Sequence, residues 1–471
     1  MVKPRATYTC TECGAQHPRW LGRCPGCGAW HSLVEESAPA EAPRRGDLLG
    51  LGPRSKAAQP IPLAEVDASA SPRLATGIAE LDRVLGGGLV PGSVLLLAGE
   101  PGIGKSTLSL QLAIQFQRRW GRVLYVTGEE SLEQVRLRAE RLGEIPDSLL
   151  ALSETRVERL AEPWRELRPS LVLIDSIQTM STDWVESAPG SVAQVRESAA
   201  LLAATAKAHG TVLVLVGHVT KEGAIAGPRV LEHLVDAVLS FEGDRGHTFR
   251  LLRASKNRFG STQEVGVFSM GEAGLSAVEN PSELFLAERH PGAPGSVIVP
   301  IIEGSRPMLL EIQALVAPAG YGTARRTCLG IDDARVALLL AVLDRRSEVD
   351  LLSCDVYVNV TGGMRVAEPA ADLGVALALA SSRLDLPVPA DVAACGEVGL
   401  GGEIRRVGRV PLRLREAARL GFERVLVPAA MASASGAPEG RFATGIAVEN
   451  LAQAVAWLRA SSPRAGGENA G

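Results

Sequence analysis

The chain has 471 residues, a formal net charge of −4, 46% hydrophobic residues and only 4% aromatic ones. At roughly 100–200 residues per domain, two or three domains are expected, and the hydrophobic content excludes a globally disordered chain. The acidic balance excludes a chain-wide polycation, so any nucleic-acid contact must come from local Lys and Arg patches.

No apolar run reaches the roughly 18 residues that span a bilayer, so no membrane partner is expected. The polar start Met-Val-Lys-Pro-Arg does not read as a secretory signal, which points to the cytoplasm. Four of the seven cysteines fall in two knuckles, Cys10-x-x-Cys13 and Cys24-x-x-Cys27. In a reducing compartment this pattern reads as metal ligation rather than disulfide formation. Four thiolates close a tetrahedral structural Zn²⁺ site, and residues 1–34 are too few to fold on a core alone, so the metal should supply most of the folding energy. Between the knuckles lie Arg19, Trp20 and Arg23. A cation beside an exposed aromatic suits base stacking or a docked partner; alternatively, Trp20 and Trp30 pack over the knuckles. Cys328, Cys354 and Cys395 read as small buried hydrophobes. Residues 35–71, rich in Ala, Pro, Glu and Ser, read as a linker.

From residue 72 to about 280 the pattern is α/β. Apolar runs Val94–Ala98, Val123–Thr127, Leu171–Ile174 and Val212–Val216 alternate with helical stretches Ser106–Arg119, Leu132–Leu142 and Ala193–Ala208. This predicts a mostly parallel sheet covered on both faces. The stretch Gly99, Glu100, Pro101, Gly102, Ile103, Gly104, Lys105, Ser106 fits G-x-x-x-x-G-K-[ST] between a strand and a helix, and Thr107 follows in the first turn. Such a loop wraps backbone N–H groups around the phosphates of ATP, with Lys105 on the terminal phosphates and the Ser106 hydroxyl on Mg²⁺. Asp175 ends an apolar strand, where a second Mg²⁺-holding group belongs. Glu129 and Glu130 end another; Glu129 is the candidate for polarising the attacking water. His218, after a third strand, is placed to sense the terminal phosphate.

The run Leu81 to Leu89, the phosphate loop and the strand ends resemble the RecA-type ATPase core. With the two cysteine knuckles and Lys256-Asn257-Arg258-Phe259-Gly260, the whole chain from about residue 7 to 460 resembles the RadA family of bacterial DNA repair proteins. The resemblance implies a RecA-like P-loop ATPase with an N-terminal zinc ribbon and a C-terminal Lon protease-like α/β domain. It implies a hexameric ring that uses ATP to drive branch migration on single-stranded and branched DNA. Carried over residue by residue, it gives Lys105, Ser106 and Asp175 to nucleotide and Mg²⁺, Glu129 to catalysis and His218 to sensing. Lys256 and Arg258 reach a neighbouring subunit's nucleotide or the DNA. It places a DNA-facing loop at Thr220–Val230, with Lys221 and Arg229, and leaves a recombinase or replication protein as a partner for the zinc ribbon.

Residues 281–460 resemble the Lon proteolytic domain, which uses a Ser–Lys pair. The matching stretch Ala367–Val375 holds no serine, and Ser381 and Ser382 fall further down the following helix. The helix Val410–Leu420 carries Arg413 and Arg415 where the lysine is expected. Arginine stays charged and cannot serve as a general base, so a non-proteolytic scaffold is expected. Arg405, Arg406, Arg409, Arg413, Arg415, Arg419 and Arg424 stand against only Glu416 and Glu423. They form either a DNA-backbone patch or a solvated, salt-bridged face. Residues 461–471 read as a frayed tail. Competing functions are a RecA-superfamily signalling ATPase indifferent to DNA and an ATP-dependent protease; the missing Ser–Lys pair weighs against the latter.

Overall fold

The computed structural model describes residues 6–37, 62, 72–218, 228–243, 249–320, 324–435 and 442–461. Of the expected linker, residues 35–37 instead end the strand Leu33–Ser37, and apart from residue 62 the rest lies outside the described residues, as do Lys221 and the tail beyond residue 461. The end of the expected Thr220–Val230 loop is a short helix, Pro228–Leu231. The chain divides into two compact units, Met1–Val278 and Glu279–Gly471.

The first unit opens with a three-stranded antiparallel sheet of β1 (Ala6–Cys10), β2 (Gln16–His17) and β3 (Leu33–Ser37), in the order β2-β1-β3. Its buried core is Cys10, Cys24 and Leu33, backed by Tyr8, Ala15 and Leu21. A core this small cannot offset chain entropy, so the thiols must do more than pack. Trp20 is 52% and Trp30 68% exposed. Both indoles flank Gly22, and Arg23 lies over the Trp30 ring, so each packs with one side and presents the other to solvent.

A nine-stranded sheet follows. β4 (Val94–Gly99), β5 (Val123–Thr127), β6 (Leu150–Ser153), β7 (Leu171–Asp175), β8 (Val212–His218) and β9 (Ala237–Glu242) run parallel in the order β9-β4-β8-β7-β5-β6. β10 (Phe249–Asn257), β11 (Val265–Gly271) and β12 (Gly274–Ala277) extend it antiparallel beyond β9. Val94, Leu96 and Ala98 pack on one face with Leu201 and Leu202 of the helix Val192–His209 and with Trp164. Leu95 and Leu97 pack on the other with Leu108, Leu112 and Phe116 of the helix Lys105–Trp120. Burial on both faces is why β4 reads as an unbroken apolar run. Each such side chain contributes about 1.5–3 kcal/mol, so the strand carrying the phosphate loop is firmly held.

The second unit is built on a seven-stranded mixed sheet in the order β15-β16-β14-β13-β17-β20-β21. Its strands are β13 (Ser296–Glu303), β14 (Arg306–Pro318), β15 (Arg326–Leu329), β16 (Cys354–Val360), β17 (Val392–Ala394), β20 (Arg424–Pro428) and β21 (Thr444–Val448). A separate pair, β18 (Glu397–Val398) and β19 (Ile404–Arg405), is antiparallel. The helix Asp372–Leu384 is buried from Asp372 through Ser381. It packs on β13 and β14, and Gly374 meets Val299, leaving no room there for a Cβ.

Candidate functional site

The register of the parallel strands brings the candidate residues to one edge. Gly99 lies level with His218, Asp175 with Val216, and Thr127 with Asp175. All are at the carboxyl ends of the strands, where ligand chemistry gathers in such sheets.

At this edge β4 enters the loop Gly99–Gly104. A Cβ on Gly99 would stand 2.7 Å from the Phe241 carbonyl oxygen, and Gly104 has φ 114° with Met270 Cε 2.6 Å from where its Cβ would be. Only glycine allows this path. Gly104 also caps the helix Lys105–Trp120 without a side-chain hydrogen bond, and the first turn holds no acid. The helix therefore presents open N–H donors and an uncompensated positive end, a ready anion site. The helix Leu132–Arg141, by contrast, closes its own start with a Ser131–Gln134 capping box.

Lys105 is 3% exposed, and its Nζ donates to the carbonyls of Gly99 and Glu100, each at 2.8 Å. Burial lowers its pKa to about 8, against the opposing pull of Asp175 and Glu129. Asp175 is 9% exposed and accepts from the Tyr125 hydroxyl at 2.7 Å. Burial, then the nearby Asp175 charge, raises the Tyr125 pKa well above its ordinary value, so Tyr125 remains a donor. The Asp175–Ser176 peptide bond is cis. Ser176 Oγ donates to Glu129 Oε1 at 2.5 Å, and His218 Nε2 lies 3.5 Å from the same oxygen. Gly128 makes this approach possible, since a Cβ there would collide with Thr179. Glu130 is instead paired with Arg138, which separates the two adjacent glutamates. Glu129 remains 46% exposed toward the edge. Ser106 carries a hydroxyl and Asp175 a carboxylate, donors of the oxygen type that could hold Mg²⁺.

Lys256 and Arg258 are not at this edge. β10 places Lys256 level with Val238 and Asn257 level with Ala237, and Ala237 lies level with Leu95 at the start of β4. Phe241, level with Gly99, is four residues on, or about 13 Å along the strand at ~3.3 Å per residue. A bulge between Ala254 and Lys256 re-aims this end of β10. Lys256 Nζ donates to the carbonyls of Glu232 and Val235 at 2.6 and 2.8 Å, and Arg258 Nη1 to Asp236 Oδ1 at 3.0 Å. Arg73 ties the motif down by donating to the Phe259 and Leu85 carbonyls.

The four thiols of Cys10, Cys13, Cys24 and Cys27 converge, their sulfurs all within 4.8 Å of one another. Burial pushes the Cys13 thiol up to about 12. A cation that stabilises the thiolates is what this donor set calls for, and four convergent sulfurs fit Zn²⁺.

In the second unit Arg413, 1% exposed, is paired with Glu368 and donates to the Pro300 carbonyl at 2.6 Å. Ser381 is buried, donating to the Leu386 carbonyl and accepting from Gly295 N. Neither residue is arranged as a nucleophile or a base. Four of the seven arginines of the stretch, Arg413 among them, are paired with carboxylates. Arg405 pairs with Glu403, Arg419 with Glu416, Arg424 with Asp391, and Arg415 lies over the Phe442 ring. A charge sum along the sequence overstated this patch, because most of its partners lie outside the stretch.

Sequence reading missed Tyr125, Ser176 and Asp236. Tyr125 carried one signal: it sits in the middle of the buried strand Val123–Thr127, and a buried hydroxyl needs a partner.

Residues 8–35 match the rubredoxin metal binding domain, residues 59–224 the AAA domain, and residues 346–435 the Lon protease (S16) C-terminal proteolytic domain. The chain thus combines an ATP- and Mg²⁺-dependent ATPase with a zinc ribbon and a Lon-like domain. Proteins named DNA repair protein RadA align over nearly all of it. That of Bacillus subtilis is 49% identical over 456 residues, 97% of this chain and 99% of the relative. That of Pseudomonas aeruginosa is 50% identical over 458 residues, with the same coverage. That of Halalkalibacterium halodurans is 50% identical over 428 residues, 91% of this chain and 93% of the relative. The chain belongs to the RadA family of DNA repair proteins.

Proposed function

We propose that the protein is a DNA-stimulated motor of the cytoplasm, assembled as a hexameric ring, that uses ATP hydrolysis to drive branch migration of recombination intermediates. The observation that carries this reading is the separation of two sets of residues. Lys105, Asp175, Glu129 and His218 share one edge of the sheet, while Lys256 and Arg258 lie at the opposite strand ends. Arg258 cannot reach its own phosphate loop across about 13 Å of strand, but in a ring it faces a neighbour. Hydrolysis then depends on assembly, as for an arginine supplied in trans.

The loop from Gly99 to Thr107 cradles the phosphates through its N–H groups, and Lys105 neutralises the terminal ones. Ser106 and Asp175 hold Mg²⁺, which when bound offsets phosphate charge. Glu129, oriented by Ser176, orients and polarises the attacking water. His218, 3.5 Å from Glu129, relays the presence of the terminal phosphate into the segment after β8. That segment, with Lys221 and Arg229, faces single-stranded DNA. The exposed Trp20 and Trp30 give the zinc ribbon a surface for a recombinase or replication protein. The Lon-like domain acts as a scaffold.

The test is extension of a heteroduplex joint in a synthetic branched DNA. The intact protein should extend it with ATP, and Lys105→Ala should not. ATP-dependent extension by Lys105→Ala, or none by the intact protein in assembled form, would overturn the proposal.

A further inference from the structure

Asp236 is buried at the edge that carries Arg258. It is 5% exposed. Its Oδ1 accepts from Arg258 Nη1 at 3.0 Å and lies 3.6 Å from Lys207 Nζ, and its Oδ2 accepts from Val94 N at 3.1 Å. The backbones are joined too: Asp236 N donates to the Val94 carbonyl at 2.8 Å, and Arg258 N to the Asp236 carbonyl at 3.0 Å. Val94 opens β4, the strand that ends in the phosphate loop. Lys256 fixes the turn just before Asp236 by holding the Glu232 and Val235 carbonyls.

Arg258 itself is 55% exposed. An arginine so exposed would sample many rotamers, and ordering it at the moment of reaction would cost entropy. Here one side of the guanidinium is held by a carboxylate that is bonded to the central strand, and its exposed part is turned to solvent. We infer that Asp236 is a positioning residue, pre-setting the Arg258 guanidinium for the phosphates of a neighbouring subunit. This rests on the reading that Arg258 acts in trans.

The test uses the full chain in its assembled form. Asp236→Asn keeps the size and an acceptor for Val94 N–H but removes the charge that holds the guanidinium. ATP KM should change little while DNA-stimulated kcat falls roughly 100-fold, the scale of a small misplacement of a catalytic group. The decisive readout is mixing. Lys105→Ala subunits are themselves inactive but carry an intact Asp236–Arg258 pair. They should restore turnover at the sites of Asp236→Asn subunits, and likewise at those of Arg258→Ala subunits.

Rescue of both variants supports the inference. Rescue of Arg258→Ala alone overturns it, because Asp236 then serves only its own subunit's fold. Rescue of neither overturns the trans reading and the inference with it. Full activity of Asp236→Asn also overturns it. Lys207→Met removes the other cation from Asp236 and should keep the full rate; a loss matching that of Asp236→Asn would make Asp236 a general charge hub and overturn its assignment to Arg258. If Asp236→Asn fails to assemble, Asp236→Glu, which shifts the carboxylate by one methylene, goes through the same mixing with the same readings.

Discussion

Replacing Arg413 tests whether the Lon-like domain has turned its reactive position into a structural one. Arg413 is 1% exposed. Its guanidinium is paired with both oxygens of Glu368, and it donates to the Pro300 carbonyl at 2.6 Å and, through Nε, to the Gly408 carbonyl at 3.0 Å. Glu368 Oε2 also accepts from Ile302 N at 2.8 Å on β13. Arg413→Ala leaves a cavity, two carbonyls without a donor and a carboxylate without its cation. Breaking a buried pair from one side costs about 3–5 kcal/mol. Glu368 keeps 27% exposure, so water recovers part of the loss and the low end, about 3 kcal/mol, applies. At about 2–4 °C per kcal/mol for a domain of this size, the unfolding of the second unit should drop by roughly 6–12 °C. Thermal unfolding of the full chain, with hydrogen exchange read on β13 and β14, measures it. Arg413→Lys should recover only part of the loss, since an ammonium lacks the planar fork, and should give no peptidase activity. A loss below about 1 kcal/mol, or casein cleavage by the lysine variant, would refute the reasoning.

Three further outcomes follow from the first unit. Glu129→Gln should keep nucleotide binding and lose hydrolysis by at least about 100-fold, the lower range for a general base; a variant with normal turnover would move the role elsewhere. Burial sets the Lys105 pKa at about 8, so the free site holds fewer protons above that pH, while bound phosphates favour the charged form. ATP binding should therefore take up a proton near pH ~9 and weaken as pH rises through 8, with no uptake near pH ~6; titration calorimetry at pH ~9 that does not depend on the buffer's ionisation enthalpy would contradict this. Chelation of zinc should open residues 8–34 to proteolysis while DNA-independent hydrolysis persists; a protease-resistant ribbon without metal would rule out the structural role.

Much of the fold was legible because its signals are local. The apolar runs of β4, β5, β7 and β8, the glycines of the phosphate loop and the paired cysteine knuckles each lie within a few residues. The antiparallel extension β10–β12 was not read although its strands pair with their neighbours in sequence, down to Gly271 opposite Gly274; charged and polar residues such as Arg250, Arg253 and Ser269 interrupt its apolar runs. Partners far apart in sequence were illegible for a different reason. Tyr125 meets Asp175, 50 residues on, and Asp236 meets Val94, 142 residues back. No spacing rule forecasts those pairs. Glu129 and Glu130 look alike in sequence, and only the turn of the helix Leu132–Arg141 brings Arg138 onto the second. The arginines from 405 to 424 were legible as charges but not as pairs. Their charges were visible, but Glu368, Glu403 and Asp391, which answer them, lie in other segments.

The central claim is that ATP turnover here is coupled to DNA. The most direct measurement is the steady-state ATPase rate of the assembled protein with and without single-stranded DNA, at two salt concentrations. The account predicts strong stimulation that fades as salt rises, because the contact is with the phosphate backbone. A rate indifferent to DNA in protein shown to be assembled would contradict it and favour a nucleotide switch over a motor.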